Sequence, residues 1–552
     1  MFKKTKIAAV TAAVLGLSSM AAQAVSLNEA ASQGQVLIFP YYNVNNGFVT
    51  VFKVTNTTNE TKAVKIRFRE SENSNDVLDF NLYMSPFDVF RMDLVEGPDG
   101  GVLLKAPDTS CTHPEIPDAG IDFRHDVYEH TDVSDVREGY LEVIEMGVVP
   151  IGKLEGQEGS AINVVAGVDH GTTGVPADCS VISDAWQQGV FTQGGAASNT
   201  ATIDIRNPNA IGFKYEDPNM SGSMSESGFY GKATVANLSK PTGGLIGTSI
   251  FIDTLNTAGY VAEPTSIVNY STIPQHYLSS DQNFYLLPSL ASGSIQSTES
   301  FTYDAAGAPM LVTRDYPTVT RDWGLDDPNV TPRTPVASGI NPFPIADAMA
   351  VTVLGNQYFL GEGGTVSDFV VSAPMRKHGI YNNYQFYPAG TTEPTTGEFV
   401  PVAGEVENGF WKKLSGVDLT STFTYFNNEE QFTQPQPGDF SPPKETETVT
   451  QTFDREVNIL ALHIQTLGEA ASVLGSVNAE PLPVVYTEGW GVFSFTKDEY
   501  NLGADRFAAW GGEDSTIPDA MGAPLFGFAA IRTPLNDGHI GETFPNIYNR
   551  KR

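Results

Sequence analysis

From Phe52 onward the chain is built of short runs in which apolar and polar side chains take turns. Phe52 and Val54 alternate with Lys53 and Thr55, and Val64, Ile66 and Phe68 alternate with Lys65, Arg67 and Arg69. After "ESENSND" the same rhythm returns in Leu78, Phe80, Leu82 and Met84. A period of two places one set of side chains on one face of a β-strand. Polar turns such as "NTTNET" between the runs predict an antiparallel meander of three neighbouring strands. Inward residues must face inward partners, so Ile66 is expected opposite Val54 on one side and Phe80 on the other. That register sets Arg67 opposite Asp79 and Lys65 opposite Asn81. The basic row then reads as a charge-balanced, solvated face. No glycine-rich loop or helix N-terminus converges on it to make an anion site.

Other segments carry the same signal. "VLIFPYYNV" (36–44) is apolar on both faces apart from Pro40, like an inner or covered strand. Glu96 to Glu138 is a long acidic loop region, and "GYLEVIEMG" (139–147) restores a strand. The stretch around "VISDAWQQGVF" has room for a short helix. A β-rich run begins at 228, and "SDFVVSAPMRK", "STFTYFNNEE", "REVNILALHI", "GWGVFSFT" and "PLFGFAAIR" read as later strands. Between the two runs, Pro309, Pro317, Pro328, Pro332, Pro335, Pro342 and Pro344 mark the best boundary. The expected fold class is all-β: antiparallel β-sandwich (Ig-like) domains with long decorated loops. Residues 25–330 form an N-terminal β-rich domain with the acidic, cysteine-containing loop region, and 331–552 a C-terminal β-rich domain. Long connections leave open that the C-terminal run completes a sheet begun near the N-terminus.

The first 24 residues point to export. Lys3, Lys4 and Lys6 precede the apolar run Ile7 to Leu17, and Ala22-Gln23-Ala24 supplies the A-x-A cleavage pattern of a signal peptide. No later stretch of about 18 apolar residues suggests a membrane anchor. The net charge of −33 speaks against a general nucleic-acid role, since phosphate neutralisation needs a basic surface. The two cysteines, Cys111 and Cys179, are expected to form a disulfide in an exported chain.

Chemistry is harder to read. His113, His125 and His130 share the acidic loop with Asp118, Asp122, Asp126, Glu129 and Asp132, the only local cluster of ligand-type residues. Carboxylate-rich loops suit calcium better than zinc, but no EF-hand or H-E-x-x-H spacing is present. No cofactor is otherwise implied. G-x-S-x-G, P-loop and dinucleotide motifs are absent, and "GTSIF" (247–251) lacks the second glycine. Glu429, Glu430, Asp454 and Glu456 are the carboxylates a glycosidase could use, with charges at strand ends as the plainer account. Tyr41, Tyr42, Tyr83, Trp411 and Trp490 could bind glycans or partners if exposed, and fill a core if not.

"GQVLIFPYYNVNNGFVTVFKVTNTTNETKAVKIRFRESENSNDVLDFNLYMSPFDVF" resembles the opening of a group of exported, uncharacterised proteins of Gram-negative bacteria. "SDFVVSAPMRKHGIY", "YFNNEE", "ASVLGS" and "GAPLFGFAAIR" are similar to that group's C-terminal half, in the same order. The resemblance implies an exported single-chain unit and brings no catalytic residues. Some members carry further cysteines in the later part, where this chain has none.

The expected function is that of a non-enzymatic exported protein of the cell surface or extracellular matrix, structural or adhesive, with self-association and surface glycan as partners. The alternatives are a secreted polysaccharide-acting hydrolase and a cation- or ligand-binding module of the periplasm or surface. Segment 36–44 is expected to pair with a sheet edge of its own molecule in preference to a neighbour's.

Overall fold

The computed structural model describes most of residues 25–185, 238–271, 344–374, 419–428, 449–495 and 523–550, with a few isolated pieces between. Residues 1–24, expected to be a signal peptide, the proline-rich connection from Pro309 to Pro342, and Glu429, Glu430, Asp126, Glu129 and His130 lie outside the described residues.

The fold is all-β, with four large sheets. Strands from residues 26–268 make a seven-stranded and a six-stranded sheet, and strands from 350–550 make another six-stranded sheet and a five-stranded one. Among the described residues no large sheet mixes the two halves, so the C-terminal run does not complete an N-terminal sheet.

Three apolar cores lie between these sheets. The first joins Phe39, Val64, Ile66 and Phe68 of the seven-stranded sheet to Phe52, Val54, Met92 and Leu94 of its six-stranded partner. The last joins Phe369, Leu460 and Leu462 to Leu354, Phe423 and Phe493 within the C-terminal half. Between them, Val36, Ile38, Tyr41, Tyr140 and Ile144 meet Val370, Ile459, Phe526, Phe528 and Ala530. The two sandwiches are thus stacked into four β layers.

Strand Val36–Asn43 is buried along its whole length, between strands Glu138–Val149 and Thr265–Val268 of its own molecule. Its Pro40 has no N–H for a ladder, and it sits where the pairing with Glu138–Val149 shifts between Gly139 and Leu141. A side chain at Gly139 would strike the Arg69 carbonyl and the Tyr42 ring. The Pro40 carbonyl accepts a hydrogen bond from Ser372 Oγ of the other sandwich at 2.6 Å.

Strand Thr61–Glu70 pairs with Asp76–Met84 in the expected register: Ile66 opposite Phe80, Arg67 opposite Asp79, Lys65 opposite Asn81. Its other neighbour is Glu138–Val149, with Val143 opposite Ile66. Val54, expected beside Ile66, lies in the six-stranded sheet opposite Gly247 and Phe90. Asn56 braces the crossing, donating from Nδ2 to the Glu60 and Ser85 carbonyls at 2.7 and 2.9 Å. Alternation specifies which face a residue takes but not which strand lies alongside. Val54 and Ile66 therefore meet across the core and not within a sheet.

Candidate functional site

The largest departure from the sequence reading is the basic row. Lys65, Arg67 and Arg69 are fully buried, so the solvated-face expectation is wrong. The row lies on the face of the seven-stranded sheet turned away from its six-stranded partner. Each cation reaches diagonally to an acid, not to the residue directly opposite. Lys65 pairs with Asp79, Arg67 Nε with Asp76 Oδ2 at 2.9 Å, and Arg69 Nε with Glu142 Oε1 at 2.7 Å. Arg69 Nη1 also donates to the Ser74 carbonyl at 2.8 Å, and Tyr140 OH donates to Ser74 Oγ at 2.8 Å. At the far edge of the first core, Lys62 repeats the device with Glu145 at 2.8 Å. Burying an ion costs several kcal/mol, on the order of what a well-placed partner restores, which is why the row is matched one to one. Burial lowers the Lys65 pKa against the opposing pull of Asp79.

One end of the row turns from charge to neutral polar groups. Tyr83 OH and His276 Nε2 lie 2.8 Å apart, and His113 stands opposite Asn81 with Ser183 Oγ at 3.5 Å from its Nδ1. Burial, then the neighbouring His113 and Lys65, hold the His276 pKa down to about 3. The His113 pKa is lowered by burial and by Lys65, and burial raises that of the Tyr83 phenol. Two short helices, Val164–Val168 and Ser180–Ala185, pack with Ala63, Tyr83, Cys111 and Met146 in a small apolar cluster. The expected Cys111–Cys179 disulfide is formed and ties these helices to strand Cys111–His113. Its loop spans 68 residues, and closing a loop of that length contributes about 4 kcal/mol by chain entropy.

Among the described residues the acidic loop does not gather its candidate ligands. His113 belongs to the buried face just described, and Asp122 to an edge strand of the six-stranded sheet. Asp132 caps a 3-10 turn by accepting from Ser134 N at 2.9 Å. Among the described residues no group of three or more His, Cys, Asp or Glu is placed to hold a metal ion. Of the candidate glycosidase carboxylates, the two described are not presented together: Asp454 is exposed while Glu456 is buried. Tyr41, Tyr42 and Tyr83 are core residues. Trp490 keeps 42% of its surface exposed and stacks on Phe426, with ring centroids 4.9 Å apart and planes 17° apart. Gln357 stands beside Trp490 on the next strand. Trp411 falls in strand Phe410–Lys413.

Sequence reasoning missed a second polar centre, at the junction of the sandwiches. Glu138 and Asp368 are both buried there, one from each half. Glu138 Oε2 accepts from Tyr41 OH at 3.1 Å and Ser476 Oγ at 2.7 Å. Its Oε1 accepts from Asn45 Nδ2 at 2.7 Å and Val477 N at 2.9 Å. Asp368 Oδ2 accepts from Ser472 Oγ at 2.6 Å and Leu474 N at 3.0 Å. Asn43 and Asn46 donate to the carbonyls of Leu474 and Gly475 at 2.5 and 2.7 Å. Gly475 has φ +65° and packs against the Phe48 ring, so a side chain there would be strained. Burial raises the Glu138 pKa and pushes that of Asp368 up to about 6, against the lowering effect of their donors. "ASVLGS" has no unusual composition, and contacts across more than 300 residues leave no local signal.

Comparison with protein-family models, with curated proteins and with solved structures returns no match for this chain. No helix among the described residues is long and apolar enough to cross a membrane, which leaves membrane crossing by strands untouched.

Proposed function

We propose that this is an exported, non-enzymatic structural or adhesive protein of the cell surface or extracellular matrix. The observation that carries the reading is where the buried charge goes. Lys62, Lys65, Arg67 and Arg69 are spent in ion pairs with Glu145, Asp79, Asp76 and Glu142 that brace strands of one sheet. Such a layered body suits load-bearing or display. The signal-peptide pattern of residues 1–24 supports the exported location.

Self-association through faces or loops fits better than through several of the sheet edges. Edge strands Ser26–Leu27, Cys111–His113 and Ile121–Asp122 are only two or three residues long, and edge strand Glu480–Val484 carries Pro481 and Pro483. Light scattering and negative-stain microscopy of the mature protein, with and without millimolar calcium, test the reading. Filaments, sheets or discrete oligomers are expected, and a monomer at every concentration with hydrolysis of a polysaccharide panel would overturn it.

The stacked Trp490–Phe426 pair favours surface glycan as the partner, because a flat aromatic face stacks on the apolar face of a sugar ring. Glycan-array binding that Trp490→Ala abolishes, with its melting temperature unchanged, is the expected outcome. Undiminished binding by that variant would remove this site.

A further inference from the structure

Segment 472–477 closes over the junction like a clasp. It is held by Asp368 of its own sandwich and by Glu138, Asn43 and Asn46 of the other. Unlike the acids of the basic row, Glu138 and Asp368 make no ion pair with any described residue. Their direct hydrogen-bond partners are hydroxyls, an amide and backbone N–H groups. The charged and titratable groups around them come from every neighbouring element. Tyr41 and Tyr42 lie on strand Val36–Asn43, and Glu70 ends strand Thr61–Glu70. Tyr260 faces Asp368, Asp253 and Arg532. Arg532 is the cation whose field reaches Asp368, and it is already engaged with Asp253 at 3.5 Å.

We propose that closure of this clasp is proton-linked: Asp368, with Glu138 acting in the same sense, holds a proton while the clasp is closed and releases it to water when the clasp opens. The cause is solvation. An isolated carboxylate buried without a cation is costly, and opening returns it to water, where its ordinary acidity is restored. Asp368, pushed up to about 6 when closed, stays protonated in a range where an open, hydrated aspartate is ionised. Closure is therefore tightest below about pH 4, weakens as pH rises toward 6, and changes no further above it. In that window the opening constant rises roughly tenfold per pH unit for one proton. The junction between the sandwiches is firmer in mild acid than at neutral pH.

Hydrogen–deuterium exchange of the full mature chain, followed by mass spectrometry from pH 4 to 7.5, tests this. The readout is the peptide spanning 472–478, with each rate corrected for the intrinsic pH dependence of amide exchange. Corrected opening that rises between pH 4 and 6 and then levels is expected. Asp368→Asn, which carries no titrating proton, is expected to flatten most of that rise. Ser472→Ala removes a donor that favours the ionised carboxylate, so the rise is expected to extend to higher pH, and this variant keeps the test alive if the first does not fold. A flat wild-type profile, an unaltered slope in Asp368→Asn, or an unmoved window in Ser472→Ala would overturn the proposal.

Discussion

Two polar regions border the same seven-stranded sheet, the second shared with the other sandwich, and they solve burial in opposite ways. The basic row sets each cation against an acid within ion-pair distance. The clasp surrounds two acids with hydroxyls, amides and backbone N–H groups, and supplies no paired cation. The first arrangement keeps its groups charged at the cost of geometric precision. The second tolerates a proton. The buried ionic layer ties neighbouring strands of one sheet, whereas a junction carboxyl with no ion-pair partner among the described residues is sensitive to pH.

The largest effect is expected from orphaning one buried charge. Arg69→Ala leaves Glu142 buried without its partner and is expected to cost roughly 3–5 kcal/mol in chemical denaturation. Replacing both, as Arg69→Met with Glu142→Leu, is expected to recover most of that loss. If the single and double variants are equally unstable, the row acts through packing and not through charge.

Next in size is a pH effect of opposite sign from that of the clasp. His276 is held neutral when folded, down to about pH 3, whereas an unfolded histidine takes up its proton near 6.5. Stability is therefore full above 6.5 and falls by about 1.4 kcal/mol for each pH unit below it, until the folded group protonates. The stability of the wild type relative to His276→Asn is expected to show this fall between pH 7 and 5, a difference from which the opposite contribution of the clasp cancels. An identical profile in the variant would assign the fall to other groups.

The smallest effect calibrates the apolar alternative. Strand Val457–Ile464 is also covered on both faces, but almost wholly by apolar side chains. Ile459→Val there is expected to cost about 0.5–1.5 kcal/mol, with no pH dependence, in the same denaturation assay. A pH-dependent loss would mean that this core is coupled to the clasp.

The reading of residues 51–84 shows what local pattern can carry. Strand identity, the facing of Val64, Ile66 and Phe68, and the pairing of Ile66 with Phe80 all follow from a period of two and one short loop. The same reasoning failed for Val54, because the alternative neighbour, Glu138–Val149, arrives some 70 residues later. It failed again for the exposure of Lys65, Arg67 and Arg69. Charged side chains alternating with apolar ones look the same whether their face meets water or a second layer, and only the acids brought up by the fold permit the latter. Asp368 and Ser472 were invisible as a site for the same reason: their significance depends on what lies opposite.

Local pattern in the chain was enough for an all-β fold, the positions of several strands, the pairing of its two cysteines and the register of one hairpin, because each depends on short-range alternation or on there being a single possible choice. The short strands Val102–Lys105, Cys111–His113 and Ile121–Asp122 within the acidic loop region were not legible. The tertiary structure alone decided that the sandwiches stack into four layers, that the basic row is sealed inside, and that Glu138 and Asp368 share a junction. Those outcomes rest on desolvation and on contacts between segments hundreds of residues apart, and neither quantity is written in any one stretch of sequence.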